Sequence, residues 1–304
     1  MDWIPFEFSK NESLGYYEDL ACARAQSGWW RDIMKSQLLE LDKKHLQTLG
    51  RLLVVGDLHG DYASLRSALN DVDLAKDTLL FLGDYADRGP SGVEVIETVD
   101  ALMKKHPDRV LPLKGNHEDY SEAGSPKFHP CSLVAEAQRK KGNWERYFEN
   151  TLKPFTESLH LAIIVPDEAL FVHGGISSRI ESRSSLEQPI ADVKEDVLWS
   201  DPFEGSGEHP NPRGAGVMFG TDITMKVCER LGVKRIIRSH EPLKVKAARG
   251  PCFSHDQRII TTSTTTVYHG APFILSINPR EFSCTCYLIG SDSIIESPIV
   301  ECIP

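Results

Sequence analysis

Residues 54–62 read VVGDLHGDY. An apolar run ends at Gly56, and Asp57 and His59 follow one residue apart before Gly60. Taken alone, this is compatible with an ordinary turn, since Gly and Asp are common turn residues. It also sets a carboxylate and an imidazole at the end of a strand. Glycines on both sides let the backbone pinch back around a guest.

The event recurs along the chain. RLLVV (51–55) leads to Gly56-Asp57-Leu58-His59-Gly60, and TLLFL (78–82) to Gly83-Asp84-Tyr85-Ala86-Asp87-Arg88-Gly89. RVLPL (109–113) and Lys114 lead to Gly115-Asn116-His117-Glu118. ALFV (169–172) leads to His173-Gly174-Gly175, and KRIIR (234–238) to Ser239-His240-Glu241. Every run ends in Asp, Asn or His. In open α/β sheets, ligands bind outside the carboxyl ends of the strands. Five separated strands would thus deliver donors to one crevice, which turn chemistry alone does not explain.

Helical patterns at 61–70, 91–106, 132–150 and 221–231 separate these runs, implying a sheet covered by helices. Residues 16–48 also read as helical, with Trp29-Trp30 as an anchor. Residues 256–300 are β-branched and aromatic runs with turns between them, expected to be antiparallel strands closing a second sheet. Residues 177–216, rich in Ser, Gly and Pro, read as a long ordered loop over the domain. The expected organisation is an N-terminal helical extension over 1–48 packed on a main domain over 49–304.

Composition bounds the function. The 304 residues carry a formal net charge of −10, which argues against a general nucleic-acid or anionic-membrane binder. Seven cysteines, without a Cys-x-x-Cys pair, fit free thiols in a reducing compartment. The N-terminus lacks a basic region followed by an apolar one, so no signal peptide is expected. A cytoplasmic location follows as the expectation, with nuclear access open.

The donors form a coherent set. Asp57, His59, Asp84, Asn116, His173 and His240 supply carboxylate, imidazole and amide oxygen, and no thiolate. This suits Mn²⁺, Fe or Zn²⁺. Six protein donors exceed what one catalytic ion with open positions needs. They suit two ions with one carboxylate between them, about 3.5–4 Å apart, able to act on both attacking and leaving oxygens at phosphorus. The surplus positive charge matches a phosphate dianion. Arg88 and Arg213 sit beside glycines near the proposed crevice, and guanidinium forks match phosphate oxygens.

At these residues the chain resembles the metal-dependent phosphoprotein phosphatase superfamily, which includes the eukaryotic Ser/Thr enzymes. GDLHG, GDYADRG, GNHE and HGG are similar to its signature blocks. LWSDP (198–202), PRGAGVMFG (212–220) and RSHEP (238–242) are similar to later blocks of its Ser/Thr branch. The resemblance covers about residues 50–270. It implies two mixed β-sheets in a sandwich flanked by helices, a four-layer α/β metallophosphoesterase fold.

The resemblance also implies roles. Asp57 and His59 would hold one metal, Asp84 would bridge, and Asn116, His173 and His240 would hold the other, with Mn the first expectation and Fe or Zn possible. A metal-bridging hydroxide would attack phosphorus directly. His117 would be the general acid, oriented by Asp87, while Arg88, Asn116 and Arg213 would bind phosphate. Where the eukaryotic enzymes carry an SAPNY-like block, this chain reads Thr264-Thr265-Thr266-Val267-Tyr268-His269-Gly270, and Tyr268 would keep the aromatic contact at the rim. The leading expectation is a metal-dependent protein Ser/Thr phosphatase acting on a phosphoprotein or phosphopeptide, with room for a regulatory subunit. The alternatives are a dinucleoside polyphosphate or other small phosphoester hydrolase, a tyrosine or dual-specificity phosphatase, and a non-catalytic phosphate-binding scaffold.

Overall fold

The computed structural model describes residues 37–303. Two six-stranded mixed sheets flanked by helices organise them, as the strand runs imply. The first sheet has the order β1 (Leu38–Glu40), β5 (Ala162–Val165), β6 (Ala169–Val172), β10 (Arg235–Arg238), β12 (Ile259–Thr261) and β11 (Cys252–Ser254). The second runs β15 (Ile294–Ile303), β14 (Cys284–Ile289), β13 (Phe273–Ile277), β2 (Leu52–Val55), β3 (Thr78–Phe81) and β4 (Val110–Pro112). A small third sheet pairs β7 (Asp201–Pro202), β9 (Val217–Phe219) and β8 (Glu208–Pro210).

The continuous apolar runs are the central strands. β2, β3, β6 and β5 are buried at every residue, the pattern of strands covered on both faces. Strands β2, β3 and β4 are mutually parallel, and β10 is parallel to both β6 and β12. Their carboxyl ends therefore gather at one end of each sheet. An isolated parallel bridge between Asp57 and Ser263, and another between Leu113 and His160, join the two sheets there. The motif residues thus leave strands of both sheets where those sheets are stitched together.

The expected helices form at Tyr62–Leu69, Gly92–Lys105, Leu133–Lys141 and Thr221–Leu231. Asp61 caps the first through Oδ1, which accepts the Ser64 amide at 3.0 Å. The buried Glu136 carboxylate accepts the Gly92 and Val93 amides at 3.2 and 3.0 Å, occupying orphan donors of the second. A left-handed glycine ends the third at Gly142 and the fourth at Gly232.

Three expectations are corrected. Leu38–Glu40, read as helical, is an edge strand parallel to β5; pairing with that buried strand overrides a local helical pattern. The main sheet therefore includes residues on the N-terminal side of the expected boundary at 48/49. The remainder of the proposed extension, with Trp29-Trp30, lies outside the described residues. The 177–216 region is not one loop: it holds a helix at Ala191–Trp199 and strands β7 and β8. Val193, Val197 and Leu198 of that helix pack into a core shared with β5 and β6. Finally, β12 joins the first sheet beside β10, and only β13, β14 and β15 close the second sheet in antiparallel fashion. Among the described residues, Cys131, Cys228 and Cys252 are free thiols, and no helix is long and apolar enough to cross a membrane.

Arg238, the last residue of β10, is fully buried. Its Nη1 donates to Glu241 Oε2 at 2.5 Å, its Nη2 to Asp201 Oδ1 at 2.8 Å, and its Nε to the Gly174 carbonyl. Removing one partner of a buried ion pair leaves uncompensated charge. Arg238→Met should lower stability by roughly 3–5 kcal/mol. A urea midpoint within experimental error of the wild type would show that these carboxylates find water instead.

Candidate metal centre and catalytic cleft

The carboxyl ends of β2, β3, β4, β6 and β10 deliver their donors into one buried cluster. Asp57, His59, Asp84, Asn116, His173 and His240 are all buried. The backbone bends sharply to present them. His59, Asp84 and His240 have positive φ of 46°, 55° and 73°, and Asp87 and Arg88 have 69° and 70°. Such conformations are uncommon for residues with a Cβ and cluster at functional sites. Room is made by glycine: a Cβ on Gly115 would collide with the backbone nitrogen and a carboxylate oxygen of Asp84.

The imidazole tautomers follow from their neighbours. His59 Nδ1 donates to the Ala86 carbonyl at 3.1 Å, His173 Nδ1 to the Leu82 carbonyl at 2.8 Å, and His240 Nδ1 to Asp201 Oδ1 at 3.1 Å. Each ring therefore keeps its lone pair on Nε2, the arrangement of metal-ligating histidines oriented by an outer acceptor. Burial, followed by the nearby His117, lowers the pKa of His59 to about 4. Burial, with His240 next, pushes His173 far below its usual range. Burial lowers His240 too, overcoming the opposing pull of Asp201. All three rings are neutral near pH 7, as ligands must be.

What these lone pairs meet is the test of a metal. His173 Nε2 lies 2.9 Å from the Asn116 amide oxygen and 3.4 Å from Asp84 Oδ1. With Nδ1 already donating, three acceptors face one another. Asp57 Oδ2 and His240 Nε2 are buried with no hydrogen-bond partner. Buried acceptors without donors are costly, and a cation among them removes the conflict. The donors fit a divalent pair. Asp84 turns Oδ2 toward His59 Nε2 at 3.5 Å and Oδ1 toward His173, so its two oxygens address two sites. Asp84 belongs to both compact groupings of potential ligands: His59, Asp84 and His117, and Asp57, Asp84 and His173. Burial drives the Asp84 pKa well up, opposed by His117 and reinforced by Asp57, a tension that a bound cation relieves.

His117 stands apart in its bonding. Its Nδ1 lies 2.8 Å from Asp87 Oδ2, and its amide donates to Asp84 Oδ1 at 3.0 Å. Asp87 Oδ1 accepts the amides of Ser132 and Leu133 at 2.5 and 2.8 Å, which locks the carboxylate. Burial alone would lower the His117 pKa, but Asp84 and then Asp87 outweigh it and raise it. Its acid form is therefore favoured while the other site imidazoles stay neutral. Glu118 braces this turn, accepting the amides of Asp84, Tyr85 and Gly115 at 2.8, 3.0 and 2.9 Å.

A cleft of about 260 Å³ opens over these groups, lined in part by Arg88, Arg213 and Tyr268. Tyr268 sets its ring edge-on to His59, 5.5 Å between centroids. Arg213 Nε donates to Asp201 Oδ2 at 2.7 Å and its Nη2 to the His240 carbonyl at 3.2 Å. All the expected site residues are brought together. Three functional contributors carried no role in the sequence reading. Asp201 fixes both His240 and Arg213, and Arg238 holds Asp201. Asp61 Oδ2 accepts the Thr266 amide and hydroxyl at 2.7 and 2.6 Å, fastening the loop that carries Tyr268. Asp201 and Arg238 lie inside the LWSDP and RSHEP blocks, which was the available signal; for Asp61 it was a second aspartate after GDLHG.

The profile of the calcineurin-like phosphoesterase family matches residues 50–244. A serine/threonine-protein phosphatase of Caenorhabditis elegans is 30% identical over 213 residues, 67% of this chain and 46% of that protein. The chain therefore spans about half the length of that curated relative. Among solved structures, a protein serine/threonine phosphatase from Saccharomyces cerevisiae aligns with a TM-score of 0.70 at 22% identity, over 94% of this chain and 92% of that one. A cold-active protein-tyrosine phosphatase of a psychrophilic Shewanella aligns with a TM-score of 0.58 at 15% identity, over 85% and 82% of the two chains. The structural likenesses establish the shared fold.

If Asp84 serves both sites, Asp84→Asn lowers the affinity of the two ions together. Metal analysis after dialysis should find both reduced, by roughly tenfold or more in affinity. A variant that keeps one ion at full occupancy would assign Asp84 to a single site.

Proposed function

Because the chain belongs to the calcineurin-like phosphoesterase family, we propose that it is a metal-dependent protein serine/threonine phosphatase that hydrolyses phosphomonoesters, with Mn²⁺ as the preferred ion. The observation that carries the reading is Asp84, which faces two sets of imidazole donors while accepting the amide of His117. Ligands and proton donor are thereby held in one rigid unit. The likeness to the Caenorhabditis elegans enzyme supports Ser/Thr phosphoprotein as the substrate class.

A divalent pair in this site supplies positive charge for the phosphoryl oxygens and activates water at neutral pH. The chain's own residues do the rest. Arg88 and Arg213 on the cleft wall take the remaining phosphoryl oxygens through planar forks. His117 protonates the departing seryl or threonyl oxygen from Nε2, because Nδ1 is committed to Asp87. Asp87, fixed by two backbone amides, keeps the ring in that tautomer. Tyr268 flanks the opening beside His59 and narrows the approach to the phosphorylated side chain.

The decisive assay is phosphate release from phosphoserine, phosphothreonine and phosphotyrosine peptides by metal-stripped protein, with and without added Mn²⁺. Mn²⁺-dependent release from the first two is expected. Turnover of phosphotyrosine alone, or of a dinucleoside polyphosphate alone, would replace this reading. His117→Asn should lower kcat by roughly 10²–10⁴-fold while leaving the metal content intact. Loss of both ions in that variant would make His117 a ligand rather than the acid.

A further inference from the structure

Beside the turn that carries His117, three ammonium groups converge on one carboxylate. Lys114, Lys127 and Lys194 place Nζ at 3.8, 3.4 and 3.9 Å from the same oxygen, Asp119 Oδ1. They come from three elements: the end of β4, the loop after the Asn116–Glu118 turn, and the helix Ala191–Trp199. Only Lys127 comes within hydrogen-bonding distance of that oxygen. Lys114 is the telling member, since its side chain is only 13% exposed and its ammonium makes no hydrogen bond among the described residues. A largely buried cation with its donors unused is a costly arrangement. Among the described residues Asp119 is the one carboxylate within 4 Å of any of the three lysines, with Glu118 acting on Lys114 from farther away, in a chain whose formal net charge is −10.

The turn that bears Asp119 is firmly held. The Lys127 amide donates to the Asp119 carbonyl at 2.9 Å, and the Lys114 amide to the His160 carbonyl at 2.8 Å. Phe128, next to Lys127, packs its ring 4.5 Å from that of His117. Asp119 follows His117 by two residues, so their Cα atoms are no more than about 7 Å apart. None of the three lysines lines the catalytic cleft.

We propose that Lys114, Lys127 and Lys194 form an accessory oxyanion site, and that it takes an acidic group, carboxylate or phosphoryl, a few residues from the phosphorylated residue of the substrate. Three donors from three elements suit a tetrahedral or planar oxyanion, which would satisfy Lys114 and displace the inadequate shared contact with Asp119. The substrate assignment rests on the phosphatase reading above; the anion site itself does not.

The test has two arms. Metal-stripped protein carrying Arg88→Ala, which weakens anion binding in the cleft, is titrated with sodium sulfate at constant ionic strength, and the melting temperature is followed. Adding Lys127→Ala and Lys194→Ala should raise the sulfate concentration for half-maximal stabilisation at least about fivefold. Asp119→Asn should lower it, because a competing carboxylate is gone. Indifference of the sulfate response to the lysine substitutions would overturn the site. In the second arm, phosphopeptides with acidic or neutral flanks are compared at steady state with the otherwise unaltered holoenzyme. The acidic flank should lower KM several-fold with kcat unchanged, and the lysine substitutions should remove the advantage. A lysine-dependent sulfate response without a flank effect would make free inorganic phosphate the occupant and overturn the substrate assignment. Failure to hydrolyse any phosphopeptide would instead strike at the phosphatase reading, with the sulfate arm unaffected.

Discussion

The guanidinium of Arg238 is the contact on which the site's geometry depends. It is buried where β10 ends, and it reaches the end of β6 through the Gly174 carbonyl, the start of β7 through Asp201, and the following turn through Glu241. Exchanging every partner of a buried ion pair for apolar groups can cost little, whereas removing the guanidinium alone strands its carboxylates, so the value of the network here is positional. Asp201 is held well below the usual carboxylate range, its burial outweighed by His240, Arg238 and Arg213. It stays ionised and accepts from His240 Nδ1 and Arg213 Nε together. One buried cation thus sets the tautomer of His240 and the direction of a cleft arginine.

The second constraint is backbone strain. Five residues of the site have left-handed φ, a conformation uncommon for any residue with a Cβ even though Asp and His visit it more often than most. The surrounding bonds impose it. Glu118 collects three amides around Asp84, and Asp57 Oδ1 accepts the His240 amide at 3.1 Å. The buried hydrophobic strands supply the stability against which this strain is tolerated, the usual division between scaffold and site.

That division explains what could be read from the sequence. The strand runs of both sheets and the donors after them are local signals: an apolar segment, then Asp, Asn or His, with a glycine beside four of the five. Each donor is recognisable within about ten residues, so the proposed ligand set and proposed acid were legible. β1 was not, because three residues become a strand only by pairing with β5, more than a hundred residues away. The helix Ala191–Trp199 was masked by its polar surroundings, and its few apolar residues find their core only in three dimensions. Asp201 was legible as part of a block but not as the partner of His240, 39 residues on. Asp61 reads as a helix cap, and its second oxygen is engaged by Thr266, 205 residues on.

The position of β2 governs the order in which this molecule can assemble. β2, which leads into Asp57 and His59, lies between β3, its near neighbour in the chain, and β13, about 200 residues later. The Gly56 amide is satisfied by the Thr264 hydroxyl, 208 residues later. A chain emerging from the ribosome can pair β2 with β3 and β4, but one edge of β2 stays open until Phe273–Ile277 has been made. Contacts at such separation are formed slowly, and unpaired apolar edges invite association with other chains. The second sheet is therefore left unfinished until about 200 residues beyond β2 have been made, and the Asp57 turn gains its last fastening only then.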